Sequence, residues 1–316
     1  MTQDKVVAIS GGVGGAKLAL GLRDILPEGA LSVIVNTGDD FDHLGLRISP
    51  DVDTLTYTLA GLANTELGWG RAGETWGMMA ALSALGGPDW FRLGDQDLAL
   101  HLLRTDLLRQ GRRLTEITAE AAARLGAGAC ILPMSDDPVA TVLSTDEGRM
   151  DFQPWFVGRQ AQPRVRSISY VGAAEAHLTE EIRCALAAPD LTGVVICPSN
   201  PWLSIGPVLA VPGLKQAIRA AGLPVVVVSP LIAGKAVKGP TAKILADMGV
   251  SPGFGAIRDY YEDLADGYVV DEVDLAEARQ MTQHEVAATA TLMATPEDKR
   301  RVAHTALHLL RRLRHG

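Results

Sequence analysis

Residues 5–17 read Lys5-Val6-Val7-Ala8-Ile9-Ser10-Gly11-Gly12-Val13-Gly14-Gly15-Ala16-Lys17, and this stretch decides the fold. Residues 5–10 form a short apolar run of strand type that ends in a glycine-rich turn, and residues 16–26 carry a helical pattern. Pro27-Glu28-Gly29 stops that helix, and residues 31–36 supply a second run rich in β-branched side chains. Strand, glycine turn, helix and strand make a βαβ unit, whose right-handed crossover implies a parallel sheet. The expected class is α/β, with a Rossmann-like parallel core.

The turn itself matches neither common phosphate fingerprint. A Walker loop needs Gly-Lys followed by Ser or Thr, whereas Lys17 follows Ala16 and precedes Leu18. The dinucleotide pattern requires glycine at its sixth position, and counting from Gly12 that place holds Lys17. Two readings stay open. Closely spaced glycines at a helix start let backbone N–H groups approach a phosphate, with Lys17 as a nearby cation. Alternatively the glycines serve a tight turn at positive φ, and Lys17 is solvated.

Working outward, residues 37–54 are dense in Gly, Asp and Pro and read as a loop past the carboxyl end of the second strand. Ligands of open α/β sheets bind at that edge. Segments 55–62, 76–85, 97–110 and 114–125 suit helices, so residues 55–125 form a mainly helical insertion in a core made of 1–54 and 126–316. The whole of 1–316 reads as one unit. Residues 129–151 suggest a β-rich stretch, with a turn at Ser135-Asp136-Asp137-Pro138. Short Val- and Ile-rich runs at 193–197 and 224–229 have the texture of strands buried on both faces, with a helix over 213–221 between them. A further strand is expected over 268–271 and a closing amphipathic helix over 296–314.

Composition excludes several classes. With 47% hydrophobic and 21% charged residues in a chain of 316, wholesale disorder is ruled out. A net charge of −8 argues against nucleic-acid binding, which needs clustered Lys and Arg. Cys130, Cys184 and Cys197 form no C-x-x-C pair and fit a reducing compartment. The first residues lack a signal-peptide core, and no apolar stretch approaches the roughly 20 residues that span a bilayer. A cytoplasmic chain with no membrane partner is expected, and a homodimer is the default assembly.

Four clusters could carry chemistry. Asn36-Thr37-Gly38-Asp39-Asp40 and Ser49-Pro50-Asp51-Val52-Asp53-Thr54 place four carboxylates within fifteen positions of the ligand edge. Such charges repel unless neutralised, and Mg²⁺ commonly joins one or two carboxylates to substrate phosphates. The competing account is helix capping by Asp53 or Thr54, which explains one aspartate rather than four. Ser199-Asn200-Pro201 with Ser204-Ile205-Gly206-Pro207 follows a buried strand and suits either nucleotide recognition or turn chemistry alone. Residues 229–240 bring Lys235 and Lys238, each a weak phosphate candidate. Trp69, Trp76 and Trp90 concentrate in the helical region, as core or as the wall of a cleft for a flat ring. His304 and His308, four apart and followed by Arg311, Arg312 and Arg314, read as a basic helix C-terminus rather than a metal site.

In this order the clusters, with Leu93-Gly94-Asp95-Gln96-Asp97 and Ile131-Leu132-Pro133-Met134-Ser135-Asp136-Asp137-Pro138, resemble the 2-phospho-L-lactate transferases of deazaflavin coenzyme (coenzyme F-420) biosynthesis. The resemblance runs from residue 8 to about 240 and implies a Rossmann-like core with a helical insertion. It also implies a reaction: a phosphoacid group passes from a guanosine-diphosphate-linked donor to the ribityl hydroxyl of the deazaflavin Fo, with Mg²⁺ present and GMP released. A guanylyltransferase that makes the donor is the implied functional partner. By the same resemblance Asp53 and Arg92 contact Fo, although some relatives have Lys at the second place. Gly11, Gly12, Gly14, Gly15, Lys17, Ser199, Asn200 and Gly206 would serve the nucleotide and its phosphates. The catalytic expectation is Asp51 and Asp53, and the metal expectation Asp40, Asp51 and Asp53.

Two other readings compete. Nucleotide-sugar-binding regulators of the same superfamily carry Gly-Gly-Ser-Ser-Gly after the paired aspartates, where this chain has Phe41-Asp42-His43-Leu44-Gly45-Leu46. A nicotinamide-dependent oxidoreductase rests on the glycine turn alone, and Asn36 stands where a ribose-binding acid is expected. No residue decides among phospholactyl, phosphoenolpyruvyl and phosphoglyceryl donors.

Overall fold

Buried parallel strands must satisfy apolar neighbours on both faces, and the valine-rich runs do so by strict alternation. In the computed structural model, which describes residues 4–237 and 239–315 (the His315 side chain excepted), seven strands form one sheet. They are β1 (Lys5–Ser10), β2 (Leu31–Val35), β3 (Cys130–Pro133), β4 (Leu191–Ile196), β5 (Val225–Val228), β6 (Gly267–Val270) and β7 (Glu285–Ala288). Lys238, one of the lysines expected near phosphate, lies outside the described residues. Every pairing is parallel, and the spatial order is β7-β6-β5-β4-β1-β2-β3. Val7, Ile9, Val194, Ile196, Val225 and Val227 enter the core on one face of the sheet. Val6, Ala8, Val195, Val226 and Val228 enter the core on the other.

The Rossmann-like core expected from residues 5–36 is present, with local corrections. Helix α1 spans Gly12–Ile25, so the glycines expected to precede the helix are its first turn, with Gly12 at φ 64°. The stretch 37–54 is not simply a loop. It holds a hairpin, Phe41–His43 against Leu46–Ile48, and then the start of α2 (Pro50–Leu59). Pro50 sits in the first turn, where its missing N–H costs nothing, and Ser49 rather than Asp53 or Thr54 is the N-cap residue. Asp51 and Asp53 therefore belong to the first turn of α2, where the helix dipole favours negative charge.

Helices α3 (Gly77–Ala84), α4 (Asp95–Arg109) and α5 (Leu114–Leu125) complete the segment between β2 and β3. A three-stranded antiparallel sheet, Gly148–Asp151, Ala140–Thr145 and Val165–Val171, lies between β3 and β4. The C-terminal helix Pro296–His315 packs on α1. Among the described residues no helix is long and apolar enough to cross a membrane.

The contact between α1 and the C-terminal helix depends on Gly21, where an added Cβ would lie 2.3 Å from the Lys299 carbonyl oxygen. Gly21→Ala gains about 0.5–1 kcal/mol of helix propensity, but forcing the helices apart costs about 1–3 kcal/mol. The expected net result is a lower urea midpoint; a midpoint at or above the parent's would mean that the helix pair has room to spare.

Candidate active site

The strand order reverses direction at one place. From β1 the chain moves outward through β2 to β3, and from β4 it moves the opposite way through β5 to β7. Crossovers leave β1 and β4 on diverging sides, opening a crevice beyond their carboxyl ends. Gly11 follows β1 and Ser199 follows β4, and the two are tied across the crevice. The Gly11 N–H donates to Ser199 Oγ at 3.1 Å, and that hydroxyl donates to the Gly11 carbonyl at 2.7 Å. A cleft of about 660 Å³ opens above them.

Gly11, Gly12, Gly14, Lys17, Ser199 and Asn200 all face this cleft. Two of them also make contacts within the fold. Asn200 Oδ1 accepts from the Trp202 and Leu203 N–H groups at 3.0 Å each, and its amide donates to Thr241 Oγ1 at 3.0 Å. Lys17 Nζ donates to the Met293 carbonyl at 2.9 Å. Gly15 and Gly206 are not in the cleft wall. A Cβ on Gly15 would collide with the Ser10 and Ser199 hydroxyls, and one on Gly206 with Tyr170 and Tyr260. Both glycines permit close packing beneath the site rather than contact within it.

The carboxylates divide into two arms. In the first, the Asn36 side-chain amide donates to Asp39 Oδ1 and to Asp51 Oδ2, both at 2.9 Å. The Gly12 backbone N–H also favours the charged form of Asp51, so the glycine turn serves a carboxylate of the chain itself. That approach demands glycine nearby, since a Cβ on Gly11 would sit 2.6 Å from Asp51 Oδ2. Gln153 Nε2 reaches Asp39 at 3.3 Å. Burial pushes Asp51 up to about 6, with Asn36 and Gly12 opposing. Burial, then the charges of Asp51 and Asp40, hold Asp39 well above the usual carboxylate range.

Asp40 does not join them. It lies outside the cleft wall, accepting from Ser49 Oγ at 2.6 Å with Arg47 at 3.8 Å, and its Oδ1 is buried without a hydrogen-bond partner. The expected set Asp40, Asp51 and Asp53 is thus not brought together. A hard cation prefers oxygen donors, and the pair Asp39 and Asp51, held on one amide and both raised by burial, fits that preference.

The second arm joins α2 to α4. Asp53 is in a two-point ion pair with Arg104, one contact being Nη1 to Oδ2 at 3.1 Å. His101 Nδ1 lies 3.6 Å from Asp53 Oδ2, and its Nε2 lies 3.3 Å from Asp97 Oδ2. Tyr57 donates to Asp97 Oδ1 at 2.6 Å. Among the described residues, Asp53, Asp97 and His101 are the one group of three whose donor atoms all lie within 4.8 Å of one another. Sequence reading missed Asp39, His101 and Arg104 as site residues. A signal for the last two existed: Asp97, His101 and Arg104 fall at i, i+4 and i+7, on one face of a helix.

The same cleft also has an aromatic wall. Trp69, Trp90, Phe91, Phe152 and Phe156 line it, with Phe152 and Phe156 stacked at 5.3 Å and 10°. Arg92 lies on this wall, and its guanidinium sits 4.2 Å from the Trp76 ring centroid. Trp76 is thus a support behind the wall.

With this geometry in view, comparison with known proteins is decisive. A family model described as "2-phospho-L-lactate transferase CofD" matches residues 6–308. The chain belongs to the CofD family. It is 41% identical to a phosphoenolpyruvate transferase of Kitasatospora aureofaciens, over 99% of each chain. It is 36% identical to a 2-phospho-L-lactate transferase of Methanosarcina mazei, over 94% of this chain and 98% of that one. A crystal structure of a UPF0052-family protein from Bacillus halodurans superposes with a TM-score of 0.61, at 15% identity over 97% of this chain and 100% of that one. That likeness concerns the fold alone.

Asp40 gives this CofD-family chain a pH signature. Burial raises its carboxyl from 3.8 to about 7, with Arg47 and Ser49 opposing. Between those values the folded chain keeps a proton that the unfolded chain has released, so this contribution is present below about pH 4 and lost as pH rises through about 7. Asp40→Asn removes the dependence. The stability of the variant relative to the parent should rise across that window and level off above it, as read by urea unfolding at stepped pH; a difference that stays constant with pH would refute the assignment.

Proposed function

We propose that this chain transfers a phosphoacid group from a guanosine-diphosphate-linked donor to the ribityl hydroxyl of the deazaflavin Fo, releasing GMP. The observation that carries the reading is one cleft whose wall combines a glycine turn and polar side chains with a set of aromatic rings. The Gly11–Gly14 turn and Ser199 form a small polar cradle at a helix start, which suits a diphosphate. Trp69, Trp90, Phe91, Phe152 and Phe156 supply an aromatic wall, which suits a planar ring system. Asp51 and Asp53 line the same cleft, and phosphorus and hydroxyl would meet beside them.

The residues then divide the work. The glycine turn and Ser199 hold the diphosphate, and Lys17 lies beside them to offset charge on the departing GMP. Arg92 and the aromatic wall fix the deazaflavin. Asp53 accepts the hydrogen bond of the ribityl hydroxyl and takes its proton as the oxygen–phosphorus bond forms and the bond from phosphorus to the GMP oxygen breaks. Asp39 and Asp51 are the residues that would hold Mg²⁺. The cation, when bound, supplies charge neutralisation at the phosphates. In-line positioning and charge stabilisation supply most of the acceleration in such transfers, since the protein has little covalent work to do.

Phosphoenolpyruvyl is the donor group we favour, because relatives named phosphoenolpyruvate transferases reach 41% and 39% identity against 36% for the 2-phospho-L-lactate transferase. Mass spectrometry of products formed from Fo with each guanylylated acid is the direct check. A product with the phosphoenolpyruvyl mass is expected, and absence of any Fo phosphodiester would end the reading.

Two variants probe the division of labour. Asp53→Asn should lower kcat about 100-fold or more at saturating Mg²⁺; full turnover would remove Asp53 from the chemistry. Asp51→Asn should instead raise the Mg²⁺ concentration needed for half-maximal rate by about tenfold or more, and an unchanged requirement would exclude Asp51 as a ligand.

A further inference from the structure

Asp53 is held by residues to which neither the family resemblance nor the proposed reaction gives a part. Three side chains of α4 converge on it or on its neighbour. Arg104 makes the two-point ion pair, His101 stands between Asp53 and Asp97, and Asp97 is anchored by the Tyr57 hydroxyl. Arg104 is itself buried, at 2% exposure, and it is absent from the wall of the cleft. Its Nη1 also lies 3.3 Å from the Arg47 carbonyl, on the hairpin that precedes α2. The guanidinium therefore touches three elements at once: α4, the first turn of α2 and the hairpin.

From this arrangement we infer that Arg104 is a positioning residue for the transfer, acting through Asp53. A carboxylate on the first turn of a helix has several rotamers open to it, and only some aim it into the cleft. A planar fork that engages both carboxylate oxygens fixes the plane of the group as well as its charge. A lysine in the same place would supply charge without the fork. Arg104 reaches Asp53 from behind, so its effect on the reaction passes through the carboxylate, with no contact to either substrate.

The inference rests on the transferase reading, and the experiment separates the two. Turnover of the parent with Fo and guanylylated donors tests the reading. Arg104→Lys and Arg104→Gln, compared with the parent, test the inference. Both variants should lose about 100-fold in kcat, the scale expected when a reacting group is misplaced by about an ångström, while KM for Fo and for the donor stays within about threefold. Adding Asp53→Asn to Arg104→Lys should lower kcat no further than Asp53→Asn does alone, because both changes act on one group. Losses that multiply in the double variant, or a fall in melting temperature with kcat unchanged, would show a merely structural pair and overturn the proposal. Should Arg104→Gln fail to fold, Arg104→Lys carries the test. Should the parent lack transferase activity, the reading fails by itself; crystal structures of the parent and of Arg104→Lys then decide the clamp, since Asp53 in an unchanged rotamer would refute it.

Discussion

Burying several carboxylates at the open edge of a parallel sheet is the constraint around which this molecule is organised. Asp39, Asp40, Asp51 and Asp53 are each less than a tenth exposed. An ionised carboxylate so placed must find charge or donors, or else hold its proton. The chain uses three solutions side by side. Asp53 has a guanidinium, Asp40 has a hydroxyl and a more distant guanidinium, and Asp39 and Asp51 share one neutral amide. Only the first sets a guanidinium directly on the carboxylate, and even there burial outweighs Arg104 and holds the Asp53 carboxyl above its ordinary range.

The glycine turn follows from the same constraint. Its failure to match a Walker or dinucleotide pattern is explained by what surrounds it. The Gly12 N–H favours the charged form of Asp51, Gly11 must lack a Cβ to admit that carboxylate, and Gly15 must lack one to admit Ser10 and Ser199. In a Walker loop the amides of the turn are kept for phosphate. Here part of the turn is committed to an acid of the chain itself, so acid and turn form one construction.

Legibility in the sequence tracked how local each determinant is. The core strands were readable because runs such as Val225 to Val228 bury every residue, and β7 was missed because Glu285–Ala288 is neither fully buried nor β-branched along its length. The acid cluster announced itself by density, and its partition did not. Asp40 and Asp39 are adjacent in sequence, yet one faces the cleft and the other faces Ser49 and Arg47, and only the turn geometry sends them apart. Likewise Arg104 is 51 positions from Asp53, and no local pattern names which carboxylate a buried arginine will meet. The helical spacing of Asp97, His101 and Arg104 marked a shared face, but an amphipathic face with polar residues is usually solvent-facing. What turned it inward is the packing of α4 beside the hairpin strand Leu46–Ile48, a tertiary fact.

The two acid arms consequently differ in how they respond to conditions. Removing the partner from a buried ion pair costs about 3–5 kcal/mol, because it leaves an uncompensated buried charge, so Asp53 depends on Arg104. The pair Asp39 and Asp51 has no such commitment to its shared amide; both are raised by burial, and charge on either raises the free energy of the other. A cation bound there, as proposed, would relieve that repulsion directly, which would make the first arm the adjustable one and the second the fixed one. A site built this way keeps one carboxylate in constant geometry while leaving the other two to depend on what enters the cleft. That division leaves the adjustable pair beside the glycine turn, where Asp51 Oδ2 lies against Gly11, and the fixed carboxylate against α4.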